Sequence, residues 1–145
     1  MTRIDFYELA DISIEARARF ACRLALKARD ANLNVTLLTP DDAVAKDLDD
    51  LMWQYPRERF LPHSVGAESS AHARVHIAAG TLGERGGENT LLINLKDEWP
   101  EGWERFARIA EIIVAESRET SREKYRFYRT QVKDLRHHRL DDWEA

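Results

Sequence analysis

The N-terminal part of the chain alternates between strand-like and helix-like patterns, and this alternation limits the available folds more than any other feature. Residues 3–9 alternate apolar and polar side chains, which predicts a strand with one buried face. Ser13 is a candidate N-cap, and small apolar residues then recur at three- and four-residue steps through residues 14–29, which predicts an amphipathic helix. Residues 35–38 are typical of a buried strand. Strand, helix and strand in this order predict a βαβ unit.

The alternation continues along the rest of the chain. Pro40 opens a predicted second helix that Pro56 ends, and residues 99–106 predict a short helical segment. Residues 74–79 and 90–95 predict strands, which the glycine-containing segment between them would join as an antiparallel hairpin. Residues 109–114 predict another strand, followed by a basic helix over residues 116–136. We therefore expect one α/β domain over residues 1–145, in three layers, with a mostly parallel sheet and one antiparallel hairpin.

Composition excludes several classes of protein. With 43% hydrophobic and 33% charged residues, the chain is neither disordered nor membrane-embedded, and its net charge of −4 is too small for a nucleic-acid coat. Cys22 is the single cysteine, which excludes an internal disulfide, and it lies on the apolar face of the first predicted helix, where a thiol packs as a small hydrophobe. The N-terminus lacks the pattern of a secretory signal. We expect a cytoplasmic protein.

No residue pattern indicates catalysis, a cofactor or a metal ion. The glycines within residues 80–87 have the wrong spacing for a phosphate loop and do not open a helix. His63 and Ser64 are neighbours in sequence, which says little about a catalytic triad, and we expect His63 to be a half-buried loop residue. His137 and His138 lack further ligands at a recognised spacing. We expect no catalytic, cofactor-binding or metal-binding residues.

The predicted C-terminal helix carries a basic stripe. Because successive helical residues turn by about 100°, six cations and one tyrosine fall within an arc about 100° wide. These residues are Arg118, Arg122, Tyr125, Arg126, Arg129, Lys133 and Arg136. Residues 116–140 hold eight Lys/Arg and four Asp/Glu, a balance of +4, which leaves −8 for the remainder of the chain. The stripe is a solvated face, a site for an acidic peptide, or a phosphate clamp for a nucleotide or single-stranded nucleic acid.

Aromatic residues cluster at the end of the second predicted helix. Trp53, Tyr55 and Phe60 lie within eight positions of one another, close to Met52 and Arg57. Large aromatic residues beside methionine and arginine are enriched at protein interfaces, but aromatic residues also dominate cores, so both interpretations stand. Three other aromatic residues are expected to pack inside the fold: Trp99, Trp103 and Phe106.

Several of these segments occur in the order found in one family, and the chain resembles the chi subunit of bacterial DNA polymerase III, an accessory protein of the clamp loader. The resemblance covers nearly the whole chain and is most specific in the block from Trp53 to His63 and the block from Arg122 to Arg129. The matching segments are Phe6-Tyr7-x-Leu9, the helix with Cys22, Leu48-Asp-x-x-x-Trp53, Phe60-x-Pro62-His63, Leu92-Ile-Asn-Leu95 and Arg122-Glu-Lys-Tyr-Arg-x-Tyr-Arg129.

The resemblance implies a Rossmann-like domain without nucleotide chemistry, which acts as a monomer within a heteromeric complex and contacts DNA only indirectly. One surface would bind the psi subunit, which leads to the clamp loader, and another the acidic C-terminal tail of single-stranded DNA-binding protein. The motifs place Trp53 and Phe60 on the psi-facing surface. They assign four residues to the tail pocket: Arg118, Arg122, Tyr125 and Arg126. Lysines stand in one member of the family at the positions of Arg118 and Arg126, so the charge is kept while the geometry differs.

Overall fold

A seven-stranded sheet in which every described strand pair is parallel forms the centre of the fold. The computed structural model describes residues 2–55, 62–66 and 74–144. The strands are β1 (Arg3–Leu9), β2 (Asn34–Thr39), β3 (Ser64–Val65), β4 (Val75–Ala79), β5 (Gly87–Asn94), β6 (Phe106–Ile113) and β7 (Leu135–Leu140). Their order across the sheet is β3-β4-β2-β5-β6-β1-β7, so β7 lies at one edge beside β1.

Three α-helices cover the two faces of the sheet: α1 (Ile14–Asp30), α2 (Asp42–Gln54) and α3 (Arg118–Gln131). The helix α1 begins where the sequence predicts, after the cap Ser13, whereas α2 begins at Asp42, two residues after the predicted start at Pro40, because Asp41 is its cap. Ser13 Oγ accepts a hydrogen bond from the Ala16 amide at 3.3 Å, and Asp41 Oδ1 accepts one from the Val44 amide at 2.9 Å. None of the helices in the described residues is long and apolar enough to cross a membrane.

The alternation of side chains along the strands creates two cores. On β1, Ile4 and Phe6 face α3 and pack with the fully buried Tyr128. Tyr7 and Leu9 face the opposite side and pack with the core under α1 and α2. The chain therefore has the expected three-layer, Rossmann-like α/β fold.

The predicted antiparallel hairpin is wrong. Strands β4 and β5 do not pair with each other, because β2 lies between them and pairs in parallel with both. Val35 of β2 is opposite Val75 on one side and Leu91 on the other. The glycines correctly marked a connection, but a turn pattern does not identify the neighbouring strand. Consecutive residues are buried in both strands, residues 75–78 of β4 and 90–94 of β5, as expected for strands of a parallel sheet rather than for a solvated hairpin.

The predicted C-terminal helix is too long. The helix α3 ends at Gln131, Val132 is already extended with φ −129° and ψ 154°, and residues 135–140 form β7. Lys133 and Arg136 therefore do not lie on the helix. Pairing with β1 overrides the helical pattern, because it gives the backbone of this segment hydrogen-bond partners along one side. The predicted helical segment over residues 99–106 is reduced to a 3₁₀ turn, Trp103–Arg105, before β6.

Candidate functional site

A pocket of about 730 Å³ opens between α3 and the edge of the sheet formed by β1 and β7. Four residues assigned to a site from the sequence all line it: Arg118, Arg122, Tyr125 and Arg126. They converge because they lie three or four positions apart on α3, which places them on one face of the helix. We call this cavity the basic pocket. Its volume is in the range of pockets that hold small ligands or short peptide segments.

The structure adds pocket residues that sequence reasoning missed. Ser121 lies on the same face of α3, and its Oγ is buried without a hydrogen-bond partner among the described residues. His137 and Arg139 enter the pocket from β7, as alternate residues of a strand do. Because the sequence predicts a helix through residue 136, it does not predict that β7 forms one wall of the pocket. Residues 135–140 are Leu-Arg-His-His-Arg-Leu, which do not alternate apolar and polar side chains, so the sequence has no strand signal that could have revealed it.

The pocket has a strong excess of positive charge. Five of the described lining residues are arginines, including Arg129 and Arg139, and Glu8 is the carboxylate among them. Glu8 Oε1 lies 2.9 Å from His137 Nε2, so this carboxylate already has a partner. Tyr125 is half-buried and packs edge-on against Phe6, with ring centroids 5.2 Å apart. The arrangement offers guanidinium donors beside an apolar ring, which suits a carboxylate-bearing group with an apolar neighbour.

A buried polar cluster fixes α3 to the sheet directly beneath its exposed arginines. Lys124 Nζ donates to Glu111 Oε1 at 2.7 Å and to the Lys96 carbonyl at 2.8 Å. The other carboxylate oxygen of Glu111 accepts from Asn94 Nδ2 at 2.8 Å and from the Tyr128 hydroxyl at 3.1 Å. Burial and the neighbouring charge of Glu111 raise the pKa of Tyr128. The cluster sets the position of the helix and hence of the pocket residues.

The second predicted surface is only partly within the described residues. The Trp53 side chain is 58% exposed at the end of α2, so it is not a core residue, and its place at an interface stays a prediction. Its ring lies 5.1 Å from the His63 ring, which in turn is 2.6 Å from Asp49 Oδ1. Phe60 lies outside the described residues. Tyr55 is half-buried, and its hydroxyl donates to Glu144 near the C-terminus at 2.9 Å.

The remaining candidate residues have structural roles. Cys22 is fully buried, and burial raises the pKa of its thiol to about 12, which confirms packing as a small hydrophobe. Ser64 shares a 2.7 Å hydrogen bond with His76, while its neighbour His63 faces Asp49, so the adjacent pair does not act together. Within residues 2–55, 62–66 and 74–144, no group of three or more His, Cys, Asp and Glu side chains could hold a metal ion.

The aromatic residues expected to pack do so to different degrees. Trp103 and Phe106 are buried in the core under α3. Trp99 is 39% exposed and stacks on Phe127 of α3, with ring centroids 3.9 Å apart and planes 2° apart. These contacts hold the connection before β6 against the helix that carries the pocket.

Comparison with known proteins agrees with the resemblance. The family model described as DNA polymerase III chi subunit, HolC, matches residues 1–135. DNA polymerase III subunit chi of Pseudomonas aeruginosa is 42% identical over 142 residues, which cover 97% of this chain and 98% of that protein. DNA polymerase III subunit chi of Haemophilus influenzae is 27% identical, over 87% of this chain and 89% of that protein. The subunit chi of Escherichia coli is 22% identical, over 80% of each chain. The chain belongs to the chi subunit family of DNA polymerase III.

Proposed function

We propose that this protein is a non-catalytic adaptor in the bacterial cytoplasm. It links the clamp loader of DNA polymerase III, through the psi subunit, to the acidic C-terminal tail of single-stranded DNA-binding protein. The observation that carries the proposal is the basic pocket, in which the four motif residues for tail binding lie together. Because the chain belongs to the chi subunit family, the complex in which such an adaptor would act is DNA polymerase III.

The chemistry of the basic pocket fits an acidic chain end. A free C-terminal carboxylate can accept two parallel hydrogen bonds from one guanidinium, and neighbouring aspartates can pair with the other arginines. Tyr125 provides an apolar surface for the last side chain of the peptide, and the unpartnered Ser121 hydroxyl provides a further donor. The pocket is therefore more selective than a uniformly charged helix face would be.

The surface for psi would lie at the end of α2. Trp53 is exposed there although it is a large apolar side chain, and such a ring is stabilised when a partner covers it. The motif adds Phe60 to this surface. The exposed Trp53 lies on the helical layer that covers one face of the sheet, and α3 with the basic pocket covers the other face. This separation suits an adaptor that binds two partners at once.

The tail assignment can be tested by titrating the protein with a fluorescent peptide that has the acidic tail sequence and a free C-terminus. Each of Arg122→Ala and Arg126→Ala should weaken binding by about tenfold to about a hundredfold, the range for losing a charge-assisted hydrogen bond. Higher salt should weaken binding as well, because exposed charges are screened. Lys46→Ala, an exposed cation on α2, is the matched control.

Two further ligands separate the possible results. The same peptide with an amidated C-terminus should bind more weakly, since the carboxylate is lost. A single-stranded oligothymidylate should bind weakly, because the rest of the chain carries a charge of −8. Equal affinity of both arginine variants and the unmodified protein for the tail would remove the pocket assignment. Tight oligonucleotide binding that both substitutions abolish would favour a phosphate clamp instead.

A further inference from the structure

A second basic cavity lies on the opposite face of the sheet from the basic pocket. It has a volume of about 520 Å³ and runs between α1, the strands β1, β6 and β7, and the residues that follow β7. We call it the α1 groove. Its basic residues are Arg3, Arg23, Lys27, Arg108 and His138, and none of its described lining residues is Asp or Glu. Such a concentration of cations is notable in a chain whose net charge is −4.

One buried carboxylate beneath the groove contacts three of these basic residues. Asp5 is 1% exposed, and its oxygens lie 3.0 Å from Arg3 Nε, 3.5 Å from Arg108 Nη2 and 2.7 Å from His138 Nε2. Burial acts to raise the pKa of Asp5, but hydrogen bonds from His138 and Arg3 and the two arginine charges outweigh it, so the net pKa is lowered. A single carboxylate cannot satisfy all the donors of two guanidinium groups.

One donor at this cluster remains without an acceptor. Arg108 Nε is buried and makes no hydrogen bond within the described part of the chain, whereas the buried Arg3 Nε is in ion-pair contact with Asp5. In the basic pocket, Ser121 Oγ is likewise buried without a hydrogen-bond partner among the described residues. A buried donor without a partner is costly, so each of these two cavities offers a donor to an incoming oxyanion.

The floor of the groove is apolar, which limits the classes of ligand that can bind there. Leucines from α1, β5 and β7 line it, together with Tyr7, Phe20 and Trp143. The rings are already engaged: Tyr7 stacks on His138 at 5.0 Å, and Trp143 packs edge-on against Phe20 at 5.3 Å with Arg23 over its face. Single-stranded nucleic acid needs open ring faces on which to stack, whereas an aliphatic floor with a cationic rim fits apolar side chains between carboxylates.

We propose that the α1 groove is a second protein-docking site, which binds an acidic segment with interspersed apolar residues from a partner protein. The cations of the rim pair with its carboxylates, and the leucine floor receives its apolar side chains. The family model matches residues 1–135, whereas His138, Leu140 and Trp143 of the groove lie beyond that range. The site therefore depends on a C-terminal segment that the family model does not describe. It uses none of the arginines of the basic pocket.

A titration in a background without the basic pocket tests the proposal directly. The background is the full chain with Arg122→Ala and Arg126→Ala, two exposed positions whose change should leave the fold intact. The probe is a short fluorescein-labelled peptide of alternating Asp and Leu, with alternating Asn and Leu as the uncharged control. We expect the acidic peptide to bind this background and the control peptide not to bind.

Substitutions within the groove then locate the bound peptide. Lys27 is an exposed residue of α1, so Lys27→Glu should not affect folding, and it should weaken binding of the acidic peptide by about tenfold or more. Arg108→Gln should have a similar effect, and Lys46→Glu on α2 should have none. The proposal is wrong if the acidic peptide does not bind the background, or if Lys27→Glu leaves its affinity unchanged. Preferential binding of oligothymidylate, weakened by Lys27→Glu, would overturn the class of ligand.

Discussion

Replacing Lys124 by Met should strongly destabilise the protein, although the sequence shows Lys124 only as one more cation of a basic helix. Its side chain is 3% exposed and its ammonium group lies 2.7 Å from Glu111 Oε1. Met fills most of the same space, so the substitution removes a charge without leaving a large cavity. The Glu111 carboxylate then stays buried and retains only the neutral donors Asn94 and Tyr128.

The expected cost is about 3–5 kcal/mol of unfolding free energy, the range observed when one partner of a buried ion pair is removed. The lost hydrogen bond to the Lys96 carbonyl belongs to this cost, because that oxygen then lacks the ammonium donor. At about 2–4 °C per kcal/mol for a chain of this size, the midpoint of thermal unfolding should fall by roughly 6–20 °C. Urea unfolding followed by circular dichroism gives the free energy directly.

A double substitution separates the loss of the charge pair from a loss of packing. In Lys124→Met with Glu111→Gln, no uncompensated charge remains, so the double variant should be more stable than Lys124→Met alone. If Lys124→Met costs less than about 1 kcal/mol, the inference of a buried pair is refuted. If the double variant is no more stable than the single one, packing and not charge explains the cost.

Three further predictions concern His76, Cys22 and Trp53. Desolvation, followed by the charge of Arg85, lowers the pKa of His76 from 6.5 to about 4. Between these values the unfolded chain binds more protons than the folded protein, so the free energy of unfolding should decrease as the pH is lowered from 6.5 to about 4. The substitution His76→Gln should make the free energy of unfolding, measured by urea titration, depend less on pH in this range. The buried Cys22 thiol should react with a disulfide reagent at pH 8 only as the protein unfolds. Trp53→Ala should change stability by at most about 0.5 kcal/mol, whereas the buried Trp103→Ala should cost about 3–5 kcal/mol in the same urea assay.

The first half of the fold was predictable because its signals are local. Ser13 is a side-chain cap that marks where α1 begins, and the strand pattern of residues 3–9 is set by one buried and one half-solvated face. The basic pocket was partly predictable for the same reason. The helical rotation alone places Arg118, Arg122 and Arg126 on one face of α3.

The features that sequence reasoning missed depend on partners that are distant along the chain. Lys124 shares the buried face of α3 with Ser121 and Tyr128 at helical spacing, but only the contact with Glu111 on β6 explains why a lysine is tolerated there. The pairing of β2 with both β4 and β5 likewise brings together strands that are far apart in sequence. A turn pattern or a charge count contains no information about such contacts.

Strand β7 shows that the difference between a helix and a strand at one segment changes the binding surfaces as well as the fold. A helix through residue 136 would place its cations on one side of the molecule, where they would extend the stripe on α3. As a strand, the same segment directs His137 and Arg139 to the basic pocket and His138 and Leu140 to the α1 groove. Because side chains alternate along a strand, one short edge segment contributes a wall to two cavities on opposite faces of the sheet. Shortening the chain to end before β7 should therefore weaken binding at both cavities, whereas a change on α3 should affect only the basic pocket.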